Sequence, residues 1–182
     1  MQSTEAAARM EKSIESLKRD FGTVRTGKAS PGLLDSIRVE AYGSMVPLNQ
    51  VASVSAPEAR MLVVQPWDRN MFGPVEKAIM TSDLGLNPAN DGKIIRVPIP
   101  ALTEERRREF VKMLHRMAEE ARVAIRHVRK EANDGVKQRQ KDSGMSEDDA
   151  RREQDEVQKL TDRYIANIEE LLKHKEAEVM EV

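Results

Sequence analysis

The feature that most constrains this chain is a long, one-sided row of apolar residues in its second half. The row consists of Phe110, Leu114, Met117, Ala121, Ile125, Val128 and Ala132, at steps of three and four. Residues at these spacings share one face of a helix, so the pattern predicts a helix from an N-cap at Thr103 to about Lys141. At 1.5 Å per residue this helix is about 57 Å long. A helix that is apolar on one side only has to bury that side against other elements.

Two further segments have the same one-sided pattern. The first, residues 4–26, carries Ala7, Met10, Ile14, Leu17, Phe21 and Val24, with Ser3 or Thr4 as a possible N-cap. The second follows a cap at Ser146 and carries Val157, Leu160, Tyr164, Ile168 and Leu171. Three helices with such rows are expected to bury them against one another, as a three-helix bundle.

The segment between the first and second long helices is built differently. All eight prolines of the chain lie between residues 31 and 100. Short runs rich in valine and isoleucine predict strands in SIRVEAY, VASVSA, MLVVQP and KIIRVPIP, and GPVEKAIMTSDLG predicts one helix. The predicted fold class is therefore α+β. A three-helix bundle of residues 1–29 and 102–182 is interrupted by an inserted α+β domain of residues 30–101.

Two short linkers join these predicted domains. Both are rich in proline, glycine or serine, so we expect a hinge of two adjacent strands of chain rather than a flexible tether. The predicted hinge residues are Gly27, Ser30, Pro31, Gly32, Pro98, Pro100 and Thr103.

Composition and motifs exclude several kinds of chemistry. The chain has no cysteine, which rules out disulfides, thiolate zinc sites and thiol catalysis. It has neither a secretory signal nor a long apolar run, so we expect a cytoplasmic protein with no membrane contact. GTVRTGKAS resembles a phosphate-binding loop, but Ala29 replaces the magnesium-binding hydroxyl and Gly22 lies within a helical pattern. We expect no enzyme, no cofactor and no metal.

The second long helix is strongly basic although the whole chain has a net charge of only −1. Residues 101–141 contain twelve Lys and Arg against seven Asp and Glu, whereas residues 142–182 contain six against thirteen. At 100° per residue, seven cationic or imidazole side chains lie near one line, which we call the basic stripe. The basic stripe consists of Arg108, Lys112, His115, Arg122, Arg126, Arg129 and Lys137. Glu119 interrupts it, and the line is expected to point away from the bundle.

The basic stripe has two interpretations. A solvated helix face with ion pairs between successive turns is the ordinary one. A surface that binds a polyanion is the other, and arginine favours it because the guanidinium group forks onto phosphates and stacks on bases better than lysine does. Structured RNA is recognised largely by shape and backbone, so this second interpretation needs no aromatic platform.

Several segments together resemble the bacterial-type ribosome recycling factor family. The similar segments are VRTGKASPGLLD at 24–35, VEKAIMTSDLGLNP at 75–88, IRVPIPALTEERRREF at 95–110, ARVAIRHVRKEAND at 121–134 and SEDDARREQDEVQKLTD at 146–162. They stand in register from about residue 9 to 180. One departure is Lys28, where the family pattern has arginine; lysine keeps the charge but cannot form the bidentate fork.

The resemblance implies an L-shaped monomer that recycles ribosomes after translation termination. With elongation factor G and GTP, such a factor separates the subunits and releases mRNA and deacylated tRNA. By the same resemblance, the bundle lies on large-subunit rRNA near the tRNA sites and the inserted domain faces the GTPase. The implied rRNA-binding residues are Arg122, Arg126, Arg129, Arg25, Lys28, Arg108, Lys112 and Lys137, with Arg129 ranked first.

Two other functions remain open from the residues alone. A helical adaptor that binds a protein through the bundle predicts weak salt dependence and no association with ribosomes. A general structured-RNA-binding protein predicts similar affinity for free RNA and for ribosomes, with a steep salt dependence.

Overall fold

The computed structural model describes residues 2–181, and it divides them into two compact units. The first contains the residues up to Thr26 together with Thr103–Glu181, and the second contains Gly27–Leu102. The chain therefore crosses between the units at 26–27 and 102–103. These crossings lie within three residues of the domain limits predicted from sequence.

The first unit is a bundle of three long helices. They are α1 (Ser3–Gly22), α3 (Glu104–Ser143) and α4 (Glu147–Met180), and each packs against the other two. The bundle core holds most of the predicted apolar residues and is completed by Ala6, Ala118, Leu172 and Val179. Burial of one-sided apolar rows therefore explains the bundle, as the sequence pattern predicted.

The ends of the helices show where local sequence signals succeed. The hydroxyl of Thr103 accepts a hydrogen bond from Arg106 N–H, and the hydroxyl of Ser146 accepts one from Asp149 N–H, so both predicted N-caps are confirmed. The loop between α3 and α4 turns at Gly144, whose φ of 65° favours glycine. The prediction of Ser3 or Thr4 as the cap of α1 is wrong, because Gln2 occupies that position without a side-chain cap.

The second unit contains the six strands and the short helix. The strands are β1 (Arg38–Ala41), β2 (Ser44–Pro47), β3 (Ala52–Glu58), β4 (Met61–Pro66), β5 (Ala89–Asn90) and β6 (Ile95–Pro98), and the helix is α2 (Phe72–Met80). β1 and β2 form an antiparallel hairpin, and the others form an antiparallel sheet in the order β3-β4-β6-β5. This unit has its own core, which includes Leu62, Val64 and Ile79. The α+β fold class with an inserted unit between the first and second long helices is confirmed.

Both ends of the second unit are hydrogen-bonded to the same turn. Ala29 N–H donates to Ala59 O at 2.7 Å, and Ile99 N–H donates to Arg60 O at 2.8 Å. The β3–β4 turn thus anchors the entering and leaving chain.

Within residues 2–181, none of the helices combines the length and the apolar character that a membrane span requires.

Shortening Ile125 to alanine should destabilise the bundle by about 3 kcal/mol, because its side chain is fully buried and a cavity would remain. Denaturant unfolding followed by circular dichroism measures the loss. Val123→Ala on the same helix is the matched control, since Val123 is 54% exposed and should change stability by less than about 0.5 kcal/mol. Equal losses in the two variants would contradict the described packing of α3.

Candidate nucleic-acid interface

One edge of the basic stripe lies beside α4. Arg122 and Arg129 both extend from α3 to α4, where Arg122 Nε donates to Glu169 Oε1 at 2.6 Å and Arg129 Nη1 donates to Gln158 Oε1 at 3.4 Å. The expectation that the stripe points away from the bundle is therefore wrong for these two arginines. At 100° per residue, the centre of the stripe is about 130° from the centre of the apolar row, with Arg129 and Arg122 at its near edge and Lys112 on the far side.

Arg122 is the most enclosed side chain of the basic stripe that forms ion pairs. Its side chain is only 16% exposed, and besides the Glu169 contact its Nη1 donates to Glu119 Oε2 at 2.8 Å. The hydrogen bond to Glu169, followed by the one to Glu119, raises the pKa of the Arg122 guanidinium above its usual value. Arg122 therefore links α3 to α4, and most of its surface is unavailable to a ligand.

Arg126 is more exposed and shares one of these carboxylates. Half of its side-chain surface is accessible, and Nη1 donates to Glu119 Oε1 at 3.2 Å. The hydrogen bond from Arg122, with a smaller contribution from Arg126, lowers the pKa of Glu119 below its usual value of 4.5. Glu169, Arg122, Glu119 and Arg126 thus form a continuous array with two positive and two negative charges.

Arg129 has a different environment from its two neighbours. Its contact is the uncharged amide of Gln158, whose own Nε2 donates to Asp162 Oδ1 at 2.9 Å. Within the described part of the chain no carboxylate pairs with Arg129. Its charge is therefore not compensated by direct contact, and the amide restricts where the guanidinium lies.

The remaining members of the basic stripe are distributed along α3. Arg108 Nη2 donates to Glu104 Oε1 at 2.5 Å, and His115 Nε2 lies 3.2 Å from Glu176 Oε2. Lys112 and Lys137 are exposed, and no ion pair is found for either among residues 2–181. Their ammonium groups extend the cationic surface toward both ends of the helix.

The two predicted site residues outside α3 belong to different units. Arg25 is half-buried in the helical unit, and Lys28 is exposed in the second unit, because the boundary falls between Thr26 and Gly27. Of the predicted hinge residues, only Gly27 and Thr103 lie at the crossings. Pro31 and Gly32 form part of a 3-10 turn (Pro31–Leu34), and Pro98 ends β6, so these residues are built into the second unit.

The predicted stripe left out three cations on the side of α3 that points away from the bundle. Arg116, Lys130 and Lys141 are exposed on the side of α3 opposite the buried row. The signal was present, since the same count of 100° per residue places them there. Sequence reasoning also missed the partners on α4, Glu169 and Gln158, because the periodicity of one helix does not show which residues of a neighbouring helix it meets.

The geometry offers a cationic surface along one helix. No group of three or more potential metal-ligating side chains occurs among the described residues. Guanidinium and ammonium groups spaced along a rigid helix suit contacts with a phosphate backbone. The fold and the surface thus define a class of protein, a two-unit α+β protein with a basic surface along one long helix.

Comparison with known proteins narrows this class to one family. The sequence profile of the ribosome recycling factor family matches residues 17–180. The ribosome-recycling factor of Methylobacillus flagellatus is 60% identical over 177 residues, which are 97% of this chain and 96% of that protein. That of Carboxydothermus hydrogenoformans is 54% identical over 178 residues, 98% and 96% of the two chains. The chain belongs to the ribosome recycling factor family.

Solved structures agree with this assignment. A solution structure of a ribosome recycling factor is 45% identical, covers 99% of this chain and 96% of its own, and superposes with a TM-score of 0.73. A second match describes the Thermus thermophilus ribosome recycling factor and Escherichia coli elongation factor G bound to the E. coli post-termination complex. Its matching chain is 47% identical, with full coverage of both chains and a TM-score of 0.61. Ribosome recycling factors are translation factors, and the prediction that this chain is not an enzyme follows from the family.

Replacing Arg122 with glutamine should lower the free energy of unfolding by about 1 kcal/mol at neutral pH, because it removes two ion pairs at the α3–α4 contact. Arg126→Gln is the control and should cost much less, since Arg126 makes one longer contact on a half-exposed side chain. Denaturant unfolding at several pH values measures both changes.

The effect of Arg122→Gln should also depend on pH. A carboxyl whose pKa is lowered on folding contributes stability above its unfolded pKa and loses that contribution as the pH falls through its folded pKa. Glu119 has such a lowered pKa, caused first by Arg122. The stability difference between wild type and variant should therefore shrink below about pH 4.5. A difference that stays constant into strong acid would contradict the assigned pairing.

Proposed function

We propose that this protein recycles ribosomes after translation termination. It binds the post-termination ribosome in the cytoplasm as a monomer and, with elongation factor G and GTP, separates the subunits so that mRNA and deacylated tRNA leave. Membership of the ribosome recycling factor family carries this proposal. The similarity to a recycling factor bound with elongation factor G to a post-termination complex supports the choice of partner.

Large-subunit rRNA near the tRNA sites is the proposed ligand of the helical unit. Arg129 is the first candidate for a phosphate contact, because its charge is uncompensated and its guanidinium is held by an amide. Arg126 is the second, because its side chain is half exposed. Arg25, Lys28, Arg108, Lys112 and Lys137 are further candidates for contacts along the backbone. Arg122 has a chiefly structural role, since its ion pairs with Glu119 and with Glu169 of α4 hold its side chain in place.

Subunit separation of post-termination ribosomes, followed by light scattering with elongation factor G and GTP, tests the function and the site together. Wild type should split the ribosomes, and Arg126/Arg129→Ala should lose most of this activity because two phosphate contacts are removed. The salt dependence of ribosome binding should flatten by about one unit of slope per lost contact.

The matched control for this experiment is Arg152→Ala, which removes an exposed arginine from another helix. It should leave splitting nearly unchanged, and circular dichroism checks that all variants fold. Splitting that survives in Arg126/Arg129→Ala would move the rRNA contact elsewhere. Absence of splitting by wild type with its cognate elongation factor G would reject recycling and favour the helical adaptor. Equal affinity for free RNA and ribosomes would favour general RNA binding.

We infer that the protein works as a lever, in which elongation factor G pushes the inserted unit and the joints between units transmit the force. Two observations support this inference. Within residues 2–181 the chain crosses between the units at two places, and Gly27, at one of them, has a φ of 76° that side-chain-bearing residues rarely adopt. A Cβ at Gly27 would lie 3.5 Å from Leu102 Cγ, an ordinary van der Waals contact, so the constraint at this position is the backbone conformation.

Gly27→Ala should therefore slow splitting while leaving ribosome binding intact, because alanine restricts the backbone at a joint and is strained there by about 1 kcal/mol. Gly92→Ala is the control, since Gly92 has a similar φ of 85° and open space around it within the second unit. The measurement compares the splitting rate and the ribosome affinity of the two variants. Equal splitting rates for the two variants would remove the Gly27 joint from the mechanism.

A further inference from the structure

The middle of the basic stripe is electrically neutral in the folded protein. Glu119 accepts from Arg122 through Oε2 at 2.8 Å and from Arg126 through Oε1 at 3.2 Å, so both of its oxygens are engaged by guanidinium groups. Glu169 accepts from the other side of Arg122 at 2.6 Å. The two arginines and two glutamates of this array cancel each other in charge.

This arrangement places a carboxylate where a phosphate would have to bind. Glu119 is 53% exposed and stands on the same line of α3 as the arginines that it pairs with. A phosphate that approaches Arg126 meets the negative charge of Glu119 and competes with it for the same guanidinium. Like charges at this range oppose binding, and the effect is largest at low salt.

We propose that Glu119 is a specificity-determining residue that keeps Arg126 from binding RNA in general. A polyanion that contacts only this part of the stripe gains little binding free energy, because the paired glutamates already neutralise the arginine charges. Stable binding needs further contacts, from Arg129 and from the lysines toward the ends of α3, made by one ligand at the same time. This inference rests on the proposed function, in which that ligand is ribosomal RNA.

A free RNA duplex tests the inference separately from ribosome recycling. The probe is a duplex of arbitrary sequence, about 16 base pairs long, with binding followed by fluorescence anisotropy over a range of salt concentrations. Glu119→Gln should raise the affinity of the protein for this duplex about three- to tenfold and steepen the salt dependence by about one unit of slope, because Arg126 becomes able to contact a phosphate.

The neighbouring residue supplies the matched control. Glu120→Gln removes the same charge one position along α3, about 100° round the helix and away from the basic stripe, and should change affinity less than about twofold. A double-mutant cycle isolates the partner: with Arg126→Gln already in place, Glu119→Gln should add no more affinity than Glu120→Gln does. Thermal unfolding verifies the fold, and Glu119→Ala gives the same readout if glutamine alters stability.

Equal gains from Glu119→Gln and Glu120→Gln would overturn the proposal, because the effect would then be one of net charge only. A gain that persists without Arg126, or no gain at any salt concentration, would overturn it as well. The splitting assay decides the recycling function independently, since its result depends on ribosomes and elongation factor G rather than on the duplex.

Discussion

Mutual burial of three one-sided apolar rows is the constraint on which the helical unit depends. α3 has 40 residues, about 60 Å of helix at 1.5 Å per residue, and its isolated apolar side would be exposed to water along that whole length. Packing against α1 and α4 buries it, with Met10, Ile125 and Ile168 fully enclosed. Because all three helices contribute to one core, the position of every surface side chain on α3 is fixed relative to the other two helices.

That packing decides which arginines are structural and which are accessible. The flank of α3 beside α4 brings Arg122 within hydrogen-bonding distance of Glu169, and the same flank sets Arg129 against the amide of Gln158. The acidic surplus of α4 is therefore a partner for part of the basic stripe as well as a solvated surface. The difference between a carboxylate and an amide on α4 determines whether an arginine on α3 keeps an uncompensated charge.

Other arginine side chains at the contacts of α3 are structural as well. Arg9 of α1 pairs with Glu131, and Arg139 pairs with Glu153 near the α3–α4 loop through contacts of 3.1 and 2.5 Å. Each bridge joins α3 to another helix of the bundle. Arginines at such contacts stabilise the bundle. A high arginine content on α3 therefore does not by itself indicate that the helix binds RNA.

Much of this fold could be predicted from sequence, because its signals are local and periodic. Rows of apolar residues predict the three helices, hydroxyl caps predict the starts of α3 and α4, and proline-rich short strands predict the inserted unit. The end of α2 at Met80 rather than Gly85 was not predictable from the glycine alone, although Gly85 does adopt a positive φ of 65°. The resemblance of whole segments, rather than any single motif, predicted the family.

The candidate site was less predictable from sequence, because it depends on the direction in which each α3 side chain points relative to the neighbouring helices. The basic stripe could be found from spacing, but its direction depends on where α1 and α4 pack, and those contacts join residues dozens of positions apart. Arg122 and Arg126 look equivalent in sequence, four residues apart on one line. In the fold, Arg122 lies between two carboxylates with its side chain only 16% exposed, whereas half of the Arg126 side chain is accessible. Tertiary packing separates them, because only Arg122 lies close enough to α4 to pair with Glu169.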